Sequence, residues 1–355
     1  MDNASRRSRL VDRLSELEVD AFFVTRLPNV RYLTGFTGSN GQLILSKDGA
    51  TFLTDGRYTE QAGHEVPDIA LNQYSADLAT AFGKACAALG VKRVAFEAAG
   101  LTYRVYETLA ATGIDLASTM DVVERLRWVK DPEELRKLEA AQAVADDAFD
   151  VVIGKLAEAM TEREVAFELD MTMRRSGAEA VSFETIVAFG ENAAEPHHSP
   201  TDRPLTRGDM VKIDFGSVVE GFHSDTTRTV AFGEPDPRLR EIHDIVLRAQ
   251  QAGIDAVLPG VMGGAADEAA RAVIRDAGYG ENYSHSLGHG VGLEVHEGPY
   301  LRAAGTDVLP QGTVVTVEPG IYVGGLGGVR IEDMVEVTSD GCRPMPRTAR
   351  ELVVL

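Results

Sequence analysis

The chain has 355 residues, 44% of them hydrophobic and 25% charged. That length suits two domains, and the balance excludes a disordered, collagenous or coiled-coil chain. Asp and Glu number 55 against 35 Lys and Arg, a net charge of −20, which repels a phosphate backbone and leaves no expectation of a nucleic-acid partner. The two cysteines, Cys86 and Cys342, form neither a disulfide framework nor a zinc-ligand spacing and fit a reduced, cytoplasmic setting.

In chain order, Arg6, Arg7 and Arg9 lead into an amphipathic helix ending near Glu18, not into the apolar core of a secretory signal. No stretch approaches the ~18 apolar residues of a membrane span, so no membrane partner is expected. VDAFFVT (19–25) reads as a short strand. GQLILS (41–46) and ATFLTD (50–55) are two more, with Lys47-Asp48-Gly49 as a hairpin turn. An Ala-rich helix over 76–89 and a strand at VKRVAFE (91–97) complete a small α/β domain with a mixed sheet, residues 1–124.

A second domain, 130–355, opens at Asp131-Pro132-Glu133-Glu134, where an N-cap Asp, a first-turn Pro and a Glu at the third helical position make a capping box. Leu135, Leu138, Ala141, Ala145, Phe149 and Val152 then fall on one helix face. Strands follow at 209–216, 225–232, 312–323 and 328–337, with helices at 237–257 and 265–277. The expectation is α+β with an antiparallel sheet, and GGLGG (324–328) as a loop.

Acidic residues interrupt these apolar strands. Period-two alternation puts Lys212 and Asp214 on one face, opposite Val211, Ile213 and Phe215. Asp225, Thr227 and Thr229 share a face, as do Thr316 and Glu318, and Arg330 and Glu332. A hairpin can bring Asp214 and Asp225 together. One such carboxylate alone would read as a solvated strand face. Four converging carboxylates repel one another and lose hydration, and hard divalent cations are the usual remedy. Of the eight histidines, His285, His289 and His296 cluster in HSLGHGVGLEVHE, and His197 and His198 lie in AEPHHSP. The glycines around His289 permit close backbone approach. They make no phosphate cradle, because no GK[ST] follows, and the absence of HExxH excludes a helix-borne zinc protease.

Taken in order, KIDFG, SDTTRT, HSLGHGVGLEVHE, VEPGIY and RIED resemble the pita-bread metallopeptidases, the group of aminopeptidase P, prolidase and methionine aminopeptidase. NVRYLTGFTGSNG (29–41), TDGRYTEQA (54–62) and WVKDPEELRKLEAA resemble the Xaa-Pro branch. The resemblance implies a creatinase-like N-terminal domain and a pita-bread catalytic domain that often assembles as a homodimer. It implies two divalent metal ions per subunit, Mn²⁺ foremost with Co²⁺ or Zn²⁺ as alternatives, held by Asp214, Asp225, His289, Glu318 and Glu332, with Asp225 and Glu332 bridging. Glu318 is then also the proton shuttle. His197, not His198, faces the scissile carbonyl, His296 contacts substrate from the other side, and His285 supports the metal site. Arg330 either steadies the ligands or clamps a substrate carboxylate. Phe222 departs from the family, where Tyr is common.

The implied substrates are short proline-containing peptides cut at the Xaa-Pro bond. Within the branch the reading favours an aminopeptidase P type acting on peptides longer than two residues, because no basic residue of these motifs other than Arg330 is free for a proline carboxylate. A Xaa-Pro dipeptidase, or prolidase, is the alternative, and an inactive protein-binding module a remote one.

Overall fold

A computed structural model describes residues 2–75 and 77–355. The chain divides into two compact units, one ending at Arg127 and the other comprising Trp128–Leu355. None of the described helices is long and apolar enough to cross a membrane.

The first unit is built on one sheet of β1 (Ala21–Val24), β2 (Gln42–Ser46), β3 (Gly49–Asp55), β4 (Ala70–Tyr74), β5 (Arg93–Glu97) and β6 (Asp115–Thr119), in the order β4-β3-β2-β1-β5-β6. The pairs β1–β2 and β2–β3 are antiparallel and the other three parallel, so the sheet is mixed. Ser46 pairs with Gly49, so the turn is Lys47-Asp48 and Gly49 already belongs to β3. The opening helix stops at Leu14, short of Glu18, whose φ of 54° cannot continue a right-handed helix. The Ala-rich helix is Leu78–Leu89, capped by Asp77 onto the amides of Ala79 and Thr80; Ala76 lies outside the described residues. The sheet's edges, β4 and β6, carry mostly half-exposed or exposed polar residues, so they show none of the apolar patterning by which the inner strands are read.

The second unit opens on the helix Pro132–Ile153, where the Asp131–Glu134 capping box forms in both directions. Phe149 of this helix stacks on Phe215 at 5.2 Å. In chain order the unit's strands are β7 (Ala180–Val181), β8 (Ile186–Phe189), β9 (Asp209–Phe215), β10 (Ser217–Val219), β11 (Phe222–His223), β12 (Thr226–Phe232), β13 (Gly288–Gly290), β14 (Glu297–Leu301), β15 (Val314–Val317), β16 (Gly320–Val323), β17 (Gly327–Arg330), β18 (Asp333–Val337) and β19 (Cys342–Pro344). They form four sheets: β11-β10-β7, β12-β9-β8, β14-β13-β15-β18-β19 and β16-β17. Each of these ladders is antiparallel. The helices Pro237–Ala256 and Gly263–Asp276 share a core with the third sheet, where Ile242, Val246 and Ala270 pack with Val315, Val317 and Val335.

Two long strand expectations are corrected. Residues 312–323 break at Glu318-Pro319, since Pro319 has no N–H for a ladder. Residues 328–337 break at Ile331-Glu332, where the chain leaves β16 and joins β15. GGLGG is likewise not all loop, because Gly327 and Gly328 open β17. A Cβ on Gly328 would stand 2.2 Å from the Ala193 carbonyl, so only glycine lets these backbones meet.

One consequence concerns acid stability. His243, in the middle of the Pro237–Ala256 helix, is buried, and neither ring nitrogen has a hydrogen-bond partner among the described residues. Burial pushes its pKa down to about 4, so the folded chain keeps it neutral whereas the unfolded chain protonates it near ~6.5. Its contribution to stability is complete above the unfolded value and is lost as pH falls from there towards the folded value. Between about pH 7 and 4.5, His243→Leu is therefore expected to lose less stability than the wild type in urea unfolding; equal losses in the two proteins would contradict this.

Candidate metal centre

The second unit holds a cavity of about 500 Å³ whose wall includes Asp214, Asp225, His289, Glu318 and Glu332. Strand register explains how they meet. β9 pairs with β12 so that Thr227 faces Asp214 across the ladder and Thr229 faces Lys212. Asp225 precedes β12 by one residue and lies on the same side as Thr227. Both strands are buried along their whole length, so these carboxylates are interior groups and not a solvated edge. Glu318 and Glu332 occupy the two strand breaks. His289 lies at the centre of β13, which fits between β14 and β15 only because a Cβ on Gly288 or Gly290 would come within 2.0 and 2.2 Å of neighbouring carbonyls.

Two threonines orient two of the carboxylates. Thr227 Oγ1 accepts from Arg330 Nε (2.9 Å) and donates to Glu332 Oε2 (2.6 Å). Thr316 Oγ1 accepts from the His289 amide (3.1 Å) and donates to Glu318 Oε1 (3.2 Å). Arg330 is buried and fully engaged. It bonds Asp214 Oδ2 through Nη2, and the Tyr322 hydroxyl (2.9 Å) and Pro196 carbonyl (3.1 Å) through Nη1. That leaves it no pair of donors for a substrate carboxylate, and of its two expected roles the geometry matches the one of steadying Asp214. The Tyr322 hydroxyl in turn donates to His285 Nε2 (2.9 Å), and His285 Nδ1 donates to the Ser286 carbonyl (2.9 Å). Burial lowers the His285 pKa to about 3, so the ring is neutral, as this relay requires.

The electrostatics of the cluster call for cations. Burial, and then the neighbouring Glu332, Asp214 and Glu318, push the Asp225 pKa well up. Burial, with Glu318 and Asp214, does the same to Glu332, and burial raises Glu318 to about 8. His289 is neutral, its pKa lowered to about 3 by burial. Its Nδ1 donates to the Gly290 carbonyl at 3.1 Å, which leaves the lone pair on Nε2. That nitrogen lies 3.5 Å from Asp225 Oδ2 and 3.4 Å from Glu318 Oε1, so an imidazole lone pair and two carboxyl groups converge on one point as cation donors. Asp214 Oδ1 is buried with no hydrogen-bond partner among the described residues. Three overlapping donor groups, Asp225–His289–His296, His289–Glu318–Glu332 and Asp214–Asp225–Glu332, each lie within 4.8 Å. Oxygen and imidazole donors in this arrangement fit hard or borderline divalent cations.

The expected histidines separate by environment. His197 is exposed on the cavity wall. His198 is buried between Glu195 Oε2 (2.7 Å) and Glu162 Oε2 (2.9 Å), a structural position. The His296 ring stands 4.3 Å from that of His289. Phe222 packs with Leu138, Val291 and Met334 in an apolar cluster. Sequence reasoning left Tyr322, Thr227, Thr316 and Lys212 without roles. The alternation places Thr227, Thr316 and Lys212 on the carboxylate faces, but nothing local indicates that Tyr322 links Arg330 to His285.

Comparison with known proteins agrees with this geometry. Residues 136–339 match metallopeptidase family M24 and residues 6–129 match the creatinase/prolidase N-terminal domain. The chain is 36% identical to the Xaa-Pro dipeptidase of Pyrococcus furiosus over 98% of this chain and 99% of that protein. It is similar to the solved structure of a Xaa-Pro dipeptidase from Bacillus anthracis (38% identity, all of both chains, TM-score 0.97). It is also similar to that of an X-Pro aminopeptidase from Thermotoga maritima (37%, 98% and 99% of the two chains, TM-score 0.91). The family match spans more than half of the chain and takes in Asp214, Asp225, His289, His296, Glu318 and Glu332, every donor of the cluster: the chain is a member of metallopeptidase family M24.

Proposed function

We propose that the chain is a Xaa-Pro dipeptidase that holds two divalent cations with Asp214, Asp225, His289, Glu318 and Glu332, Mn²⁺ being the best suited to the mixed donors. The observation that carries the substrate assignment is full-length similarity to two proteins named Xaa-Pro dipeptidase. It outweighs the aminopeptidase P reading of the motifs, which rested on the lack of a free cation for the proline carboxylate. Beyond those motifs Arg302 supports the dipeptidase reading: its guanidinium stands over the ring of Tyr300 at 5.5 Å, and Tyr300 lines the cavity.

When bound, the cations supply Lewis acidity at the scissile carbonyl and make water a nucleophile near neutral pH. The chain's own groups do the rest. Glu318 has one oxygen held by Thr316, and its carboxylate takes a proton from the attacking water and delivers it to the proline nitrogen, which must leave as an amine. His197, exposed on the wall, donates to the substrate carbonyl oxygen as negative charge builds there. His296 contacts the substrate beside His289. Arg330, Tyr322 and His285 hold Asp214 and its surroundings rigid. Because the bond before proline is a tertiary amide, it offers no N–H to a main-chain edge, and recognition falls to side chains of this kind.

Two outcomes follow. His197→Ala is expected to lower kcat by about 10²-fold with metal content unchanged, while His289→Ala loses metal; equal metal loss in elemental analysis of the two would refute this division. For substrate length, kcat/KM for Xaa-Pro is expected to exceed that for Xaa-Pro-Yaa by at least about tenfold, and Arg302→Ala to erode that preference. A preference for the tripeptide would make the enzyme an aminopeptidase P.

A further inference from the structure

Lys212 is fully buried and plays no part in the mechanism above. Burying an amino group is costly, and an apolar side chain of the same length would be cheaper at this position. Its bonds suggest what it is for. Nζ donates to the carbonyls of Ala193 (3.1 Å) and Glu195 and stands 5.2 Å from the ring centroid of Tyr322. Arg330 Nη1 takes the next carbonyl, Pro196, and His198 is pinned by Glu162 and Glu195. The turn is therefore tied on both sides of His197, whose own ring makes no hydrogen bond among the described residues and projects into the cavity.

Lys212 and Asp214 lie two residues apart on one face of β9, a separation of roughly 7 Å that a strand holds rigidly. One end of this span enters the carboxylate cluster and the other grips the turn that carries His197. We propose that Lys212 is the positioning residue for His197, with β9 as the ruler that sets His197's distance from the cluster. This deepens the peptidase reading and rests on it only where turnover is measured.

The test uses Lys212→Met and His197→Ala, singly and combined, with kcat, KM and metal content on a Xaa-Pro dipeptide. The histidine Cε1–H resonances are recorded as well, His197→Ala identifying the His197 signal. Lys212→Met is expected to lower kcat about tenfold or more, since small displacements of a reacting group are expensive, with KM and metal content within about twofold. In the His197→Ala background it should add little, and the His197 resonance should shift or broaden. Lys212→Gln keeps a shorter neutral donor and carries the same comparison should the Met variant not fold. Multiplying effects in the double variant, metal loss parallel to activity loss, or an unmoved His197 resonance would each overturn the assignment. A wild type that cleaves no Xaa-Pro peptide would instead sink the peptidase reading, and the resonance comparison would still decide the role of Lys212.

Discussion

Three buried carboxylates and a half-buried one, Glu318, held against one guanidinium and a neutral imidazole, are the constraint on which the catalytic unit depends. Without compensation, Asp214, Asp225, Glu318 and Glu332 repel one another and have lost their water. Arg330 offsets one charge through Asp214. The remainder needs cations, and the surroundings are built to keep the donors apart from any other partner. Thr227 and Thr316 hold one oxygen each of Glu332 and Glu318, and the Gly290 carbonyl takes the proton side of His289. The glycines of β13 and the breaks after β15 and β17 are the backbone's share of the same arrangement: they bring His289, Glu318 and Glu332 to one point from three separate stretches of chain.

Much of this was legible in residues alone. Alternation in VKIDF separates Asp214 and Lys212 from an apolar face, and the register of β9 on β12 places Thr227 opposite Asp214 as a hairpin requires. The capping box at Asp131 is a local signal and was readable as such. What could not be read depends on partners distant in sequence. The break at Ile331-Glu332 has no Pro or Gly beside it to mark it; the chain turns there because the Glu332 amide bonds Thr227 O across to β12 (3.1 Å), and Arg228 donates to the Glu332 carbonyl. The edges β4 and β6 have too little buried surface to leave an apolar pattern. Arg330 could be placed beside Glu332, but only the fold shows its nitrogens already spent on Asp214, Thr227, Tyr322 and Pro196.

Substrate length was the least legible property, for a physical reason. Cleaving the Xaa-Pro bond uses the same donors whatever follows the proline, so the chemistry-bearing motifs are silent about it. Recognition of a terminal carboxylate needs one cation near the cavity, and a residue such as Arg302, 5.5 Å from the ring of the wall residue Tyr300, sits outside every catalytic motif. Full-length similarity therefore informs this choice more than the site does.

The claim that cations hold the carboxylate cluster together is tested most directly by titrating Mn²⁺ into chelator-stripped protein while following binding heat and thermal unfolding. The account predicts two ions per chain and a rise in Tm on saturation, both largely lost in Asp225→Asn, whose side chain lies in two of the three donor groups. A stripped protein that binds no Mn²⁺, or whose Tm is the same with and without it, would contradict the account.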